Sequence, residues 1–317
     1  MGNSLFKKNT ILTFLHFKQF SHKIMLIRPY LNQNFYELKQ KCLSERILFK
    51  DESFLPDDRS LKRTRNLSND EKIYWKRPHE IVENPAFLTT TATNPTYLNQ
   101  GNLGNCWVIS GIVCLLKFPE YANKILYIEE EQSFEKKTYA GIFHFRFWRF
   151  GEWWDVTVDD FLPVNEFNKL IFCNNAMDPG EMIGPLIEKA FAKIFTCYEF
   201  LIAGEPIDAI IDLCGGVSER FSLSKIKDGT CKNLDTNILW NLIFISSNFK
   251  KSCITTSIKT KEQHIIDHLN ELDLVIGHSY CILETVEIFY NDESKTYDTL
   301  RTNTDERAQL NSIRLIK

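Results

Sequence analysis

Cys106 stands where a polar, glycine-bearing stretch, LNQGNLGN (residues 98–105), gives way to the apolar run CWVISGIVCLLK. A thiol in the first turn of a helix sits beside free N–H groups and the positive end of the helix dipole. Both favour the thiolate, which is the nucleophile. Gly101 and Gly104 would let the turn approach a substrate backbone closely. Gln100 offers an amide donor that could join the Cys106 N–H in an oxyanion hole. The competing reading is a buried structural cysteine, but the hinge setting favours the nucleophile.

A nucleophile needs a base, and the chain has seven histidines. His16 and His22 fall in a basic N-terminal extension and His79 in a loop. His144 alternates inside an aromatic strand and reads as a packed or outward strand residue. His278 follows Gly277 in the apolar stretch LVIGHSYCIL, where a polar ring is costly unless it is used or satisfied. A catalytic base and a satisfied core histidine are both open there. The order is a cysteine first and a histidine far downstream, as in papain-like enzymes.

Other clusters carry less. His264 and His268 lie i, i+4 on one helix face, which can bind a metal, but no H-E-x-x-H glutamate or third ligand accompanies them. A solvated face is the simpler reading. Asp155, Asp159 and Asp160 could suggest paired carboxylates, yet they sit at a strand end before FLP, where turn and capping roles are commoner. There is no phosphate-binding glycine loop.

The elements that must position these residues are set by pattern. Residues 32–49, NQNFYELKQKCLSERILF, are helix-like, with Phe35, Leu38, Cys42 and Ile47 on one side. The helix beginning at Cys106 is apolar nearly all round and should be central and buried. Residues 140–164 read as an aromatic hairpin turning near Arg149–Gly151. EMIGPLIEKAFAKIFTCYEFL (181–201) is a second long helix, and LCGGVSE (213–219) is a glycine turn where the chain changes domain. Beyond it come a strand over 252–258, an amphipathic helix over 261–272 and one or two strands over 272–290. The fold class is α+β in two lobes.

At 317 residues, with 44% hydrophobic and 25% charged residues, the chain is an ordinary folded protein with room for real cores. A net charge of -3 gives no whole-chain case for nucleic acid or anionic membrane. Nine cysteines without C-x-x-C or other ligand spacing point to free thiols in a reducing, intracellular setting. Residues 1–24 are basic and interrupted by Lys18 and Lys23. They make a poor secretory signal and read as a disordered extension. No apolar run reaches membrane-spanning length.

Seven ordered blocks then resemble one family: RPYLNQNFYELKQKC, WKRPHEIVENPAFL, QGNLGNCW, YAGIFHFRFWRFGEWWDVTVDD, LIEKAFAKI, GGVSE and GHSY. The chain from Met25 to Lys317 resembles the calpain-type cysteine protease core, most of all the atypical members without EF-hands. The resemblance implies a papain-like core with an active-site cleft between two lobes. It assigns residues 25–45 to an anchor-like helix, 46–222 to the first lobe and 223–317 to a partial second lobe. It implies Cys106 as nucleophile, His278 as base and Gln100 as oxyanion donor. Gly204, Gly216 and Gly277 match glycines whose backbones line the substrate cleft. The implied activity is limited intracellular proteolysis of protein substrates by a calcium-dependent, monomeric, cytoplasmic enzyme. Nucleic acid has no part in it, and membrane association is left open.

Two departures qualify that expectation. The family's third catalytic residue is an asparagine in an N-P-W motif about two dozen residues after the histidine. The chain stops where that motif would begin, and Asn291, Asn303 and Asn311 stand in other contexts. The expectation is a truncated second lobe and weakened catalysis, with a binding or regulatory module as the alternative function. The family's first-lobe calcium site uses backbone carbonyls, a Glu matched by Glu181, and an Asp nine residues before the nucleophile. That last position is Tyr97, which has no carboxylate for a hard cation.

Overall fold

The computed structural model describes residues 10–16, 26–62, 72–89, 97–126, 132–222, 236–248, 252–272, 274–291, 296–298 and 311–316. Cys231, Asn303, His22, Lys7, Lys8, Lys18 and Lys23 lie outside the described residues. The chain opens with β1 (Thr10–His16) and β2 (Ile27–Pro29), then α1 (Phe35–Glu45), α2 (Asp58–Leu61), β3 (Tyr74–Lys76) and α3 (Pro78–Ile81). Next come β4 (Leu98–Asn99), α4 (Cys106–Leu116), α5 (Pro119–Leu126), β5 (Ile142–Arg149), β6 (Glu152–Asp159), β7 (Leu162–Val164) and β8 (Asn174–Asn175). Then come α6 (Ile183–Ile194), α7 (Pro206–Cys214), β9 (Val217–Ser222), α8 (Thr236–Asn248), β10 (Cys253–Ile258) and α9 (Gln263–Asn270). Last are β11 (Ser279–Cys281), β12 (Thr285–Asn291), β13 (Thr296–Asp298) and β14 (Asn311–Ile316). The architecture is α+β, as the residue patterns predict.

Two compact units result, one of Lys18–Val217 and one of Met1–Phe17 with Ser218–Lys317. In the larger unit β5 and β6 pair antiparallel from Ile142↔Asp159 to Arg149↔Glu152, and β2 adds in parallel to β6. The turn between them is Phe150–Gly151, with φ of 55° and 83°, the left-handed pair that a two-residue hairpin requires. The hairpin is buried on both faces. His144 stacks on Phe35 of α1 at 3.6 Å and Phe147 meets Phe191 of α6 edge-on at 4.8 Å. Helices thus lie on both sides of the strands, whose buried polar residues such as His144 and Asp155 pair with each other.

α6 carries charges into that core. Lys189 pairs with Asp159 and donates to the Phe161 carbonyl at 2.7 Å. Lys193 pairs with Asp51 at 2.6 Å and also donates to Gln33 and the Thr157 carbonyl. Asp160 holds Arg77, and Asp155 accepts from His144 at 2.8 Å. Asp159 and Asp160 are therefore partners in buried ion pairs and Asp155 in a buried hydrogen bond, and none of the three takes part in a carboxylate pair. Removing one partner of such a pair strands the other charge, at about 3–5 kcal/mol.

In the smaller unit the sheet order is β11-β10-β1-β9, with β1 antiparallel to β10 from Thr10↔Ile258 to Leu15↔Cys253. This differs from the disordered extension expected for residues 1–24. TILTFLH is rich in β-branched and apolar residues and satisfies its backbone by pairing. Leu12 is buried with Leu239, Ile243, Ile254 and Ile282. A second cluster joins Ile258, Ile265 and Leu269. A separate sheet has the order β13-β12-β14. The change between units falls between Val217 and Ser218, beside the expected glycine turn. No helix among the described residues is long and apolar enough to cross a membrane.

Candidate active site

α4 begins at Cys106 because the preceding turn is built to stop there. Gly104 has φ +71°, a conformation glycine adopts without strain. The Asn105 carbonyl accepts from Val108 N at 2.9 Å and starts the helix. Every residue from Trp107 to Leu116 is buried, while Cys106 is only half-buried. Of the other cysteines in the larger unit, Cys42, Cys114, Cys173, Cys197 and Cys214 are all buried. Within that unit, Cys106 alone presents a thiol at a helix N-terminus with access to solvent.

The flanking chain is held on both sides of this turn. β4 pairs with β8 through Leu98↔Asn175 and Asn99↔Asn174, which delivers Gln100 directly after a fixed ladder. The Gln100 Oε1 atom is buried with no hydrogen-bond partner. At Gly101 (φ +62°) a Cβ would lie 2.4 Å from the Phe172 carbonyl oxygen, so the backbone passes too close for any side chain. Trp107 donates from Nε1 to the Leu201 carbonyl at 2.6 Å, and Ala203 N donates to the Gly104 carbonyl at 3.4 Å. These contacts bring Gly204 to the Cys106 turn. Gly216 comes after Gly215, the left-handed cap of α7, and immediately precedes β9.

Gly277 and His278 belong to the smaller unit. The sequence reads this region as strand, but residues 276–277 form a turn and β11 starts only at Ser279. Gly277, at φ +72°, makes that turn and donates its N–H to the Ile258 carbonyl at 2.9 Å. The His278 ring meets Tyr280 edge-on at 5.0 Å. Burial holds its pKa below the ordinary histidine value, which keeps a neutral, proton-accepting imidazole at pH 7.

The remaining candidates lie elsewhere. His144 is fully buried between Phe35, Tyr36 and Asp155. His264 and His268 face Glu262 and Glu271 on an outer helix. Among the described residues no group of three or more His, Cys, Asp or Glu side chains could hold a metal ion. The Glu181 carboxylate is already committed: Oε2 accepts from Thr89 N and Oγ1, and Oε1 from Asn175 Nδ2. With Tyr97 in place of a second carboxylate, these residues do not fit a calcium cage, and no step of the reaction is routed through calcium.

Glu188 has no signal of its own in the sequence beyond being one of three charges, with Lys189 and Lys193, in a largely apolar helix. It is fully buried on α6 and accepts from Asn105 Nδ2 at 2.7 Å and from Cys173 N at 3.0 Å. Burial pushes its pKa up to about 8, against the pull of those two donors.

Known proteins resemble the chain. The model of the calpain family cysteine proteases matches residues 49–303. Calpain-5 of Caenorhabditis elegans is 35% identical over 259 residues, covering 80% of this chain and 38% of the relative. The calpain-1 catalytic subunit of Rattus norvegicus is 34% identical over 267 residues, covering 83% and 35%. Calpain-5 of Mus musculus is 33% identical over 293 residues, covering 88% and 44%. The chain thus spans less than half the length of these relatives. A thiol heading a buried helix after a QGNLGN turn, within a match covering most of the sequence, has one reading: the chain belongs to the calpain family of cysteine proteases.

Proposed function

We propose that the chain is a cysteine endopeptidase that makes limited cuts in protein substrates, with Cys106 as nucleophile and His278 as general base. The single observation that carries this reading is the Cys106 thiol, half-buried at the head of α4 while every other cysteine of its unit is buried. Residues 26–217 act as the first protease lobe. Residues 10–16 and 218–317 act as the second.

In the reaction, Cys106 Sγ attacks the scissile carbonyl carbon and its proton passes to the His278 imidazole. The carbonyl oxygen, now negative, is held by the Cys106 N–H and the Gln100 amide. Collapse of this intermediate breaks the C–N bond, and His278 returns the proton to the leaving amine. Water, deprotonated by His278, then attacks the thioester carbonyl; the C–S bond breaks, the acid leaves and His278 returns the proton to Cys106 Sγ. Gly204, Gly216 and Gly277 give the substrate backbone side-chain-free walls. The eight free cysteines among the described residues suit a reducing, cytoplasmic setting.

The test is covalent labelling of the purified chain with an epoxide probe for cysteine proteases. Labelling that disappears in Cys106→Ala and weakens in His278→Ala supports the enzyme. A folded chain that does not label leaves a binding or regulatory module as the function.

A further inference from the structure

Glu188 joins two pieces of chain that flank the reacting atoms. One oxygen accepts from Asn105, the residue before Cys106; the other accepts from the backbone N–H of Cys173, where the chain enters β8. β8 pairs with β4, and β4 runs directly into Gln100. A single buried carboxyl group thus ties the nucleophile's turn to the ladder that delivers the oxyanion donor. Asn105 is itself fully buried, and its Oδ1 has no hydrogen-bond partner.

We propose that Glu188 is a positioning residue for the catalytic centre, setting Cys106 through Asn105 and Gln100 through Cys173 and the β4–β8 pair. This rests on Cys106 being the nucleophile. Misplacing a reacting group by about 1 Å costs on the order of a hundredfold in rate, so a rigid link between the two is worth its burial. The pair also works in either protonation state. An ionised Glu188 accepts from Asn105 Nδ2. A neutral Glu188 donates its proton to Asn105 Oδ1 once the amide is turned over, and the two ends of an amide are close enough in size for the same pocket to hold either. The other titratable groups facing Glu188 are the Cys173 thiol and the Tyr198 hydroxyl, both raised by burial and then by Glu188 itself. Lys189 and Lys193 on the same helix are engaged with Asp159 and Asp51.

The test measures alkylation of Cys106 in the full chain by iodoacetamide, which needs no substrate recognition, alongside urea midpoints. Asn105→Ala and Glu188→Leu are expected to slow Cys106 alkylation about tenfold or more. Glu188→Gln should recover most of that loss, because its oxygen accepts from Cys173 N and its amide donates to a turned Asn105. Wild-type rates in Asn105→Ala would overturn the proposal even if Glu188→Leu does not fold. So would a folded Glu188→Gln as slow as Glu188→Leu. Failure of the nucleophile reading looks different: Cys106 in the unaltered chain would react no faster than half-buried Cys281, and the positioning role would fall with it.

Discussion

The backbone of Gly204 lies against the indole of Trp107, so close that a Cβ at 204 would sit 2.4 Å from the ring. The same indole donates to the Leu201 carbonyl. One side chain, adjacent to Cys106, therefore holds the 201–204 loop by both a hydrogen bond and a surface contact. Gly204 is glycine for want of space, since among the described glycines only Gly101, Gly104, Gly141, Gly151, Gly215 and Gly277 have positive φ.

Gly204→Ala should force the loop off the indole. Overpacking of this kind costs about 1–3 kcal/mol, readable as a lower urea midpoint, and labelling of Cys106 should fall with it. An alanine that leaves both unchanged would show that the loop moves freely.

As the proposed base, His278 should set the acid side of the reaction. Burial lowers its pKa, so the acid limb of Cys106 labelling should have its midpoint below about 6.5 and be altered in His278→Ala. The same group acts on stability. Because the folded pKa lies below the unfolded one, its contribution is complete above about 6.5 and is lost as pH falls through the folded value. A midpoint above 7 would remove His278 from the base's role.

Calcium should find no purchase at Glu181. At constant ionic strength, adding it should leave the melting temperature unchanged within about 1 °C, where ligand at a hundredfold excess over Kd would add about 2.7 kcal/mol. Glu181→Gln should destabilise by about 1–3 kcal/mol, because an amide cannot accept all three bonds from Thr89 and Asn175. A calcium-induced rise present in the unaltered chain and lost in Glu181→Gln would place the ion there after all.

Leu12→Ala tests whether β1 belongs to the smaller unit's core. Leu12 is 5% exposed against Ile254, Ile243 and Leu239, and truncating such a leucine costs about 2–5 kcal/mol. A urea midpoint unmoved by the substitution would mean that β1 is dispensable.

Local pattern makes half of this molecule readable. The Cys106 hinge, the 142–159 hairpin and the apolar α4 announce themselves within a dozen residues, because turn chemistry and periodicity act over that range. Asn105 and Glu188 meet across 83 positions, and nothing near either one signals the other. Glu188, Lys189 and Lys193 look like an exposed helix face until Asn105, Asp159 and Asp51 arrive from distant chain. Residues 10–16 mislead for the same reason. Basic neighbours such as Lys18 dominate the local composition, while the partner that makes a strand of them lies near the other end. At His278, Gly277 ends the apolar run in a turn where periodicity alone suggests continuous strand.

The pairing of β1 with β10 sets a timetable. Thr10 faces Ile258 in the sheet, so β1 leaves the ribosome long before its partner exists. At about 5–20 residues per second, the roughly 250 intervening residues take on the order of 12–50 s to make. Until β9, its other neighbour in the sheet, is made about 200 residues later, β1 has no native partner strand, while Lys18–Val217, already emerging, can close its own core. The nascent chain therefore completes the Cys106 unit first and must keep its opening strand in waiting, a task for which a molecular chaperone would be the natural escort.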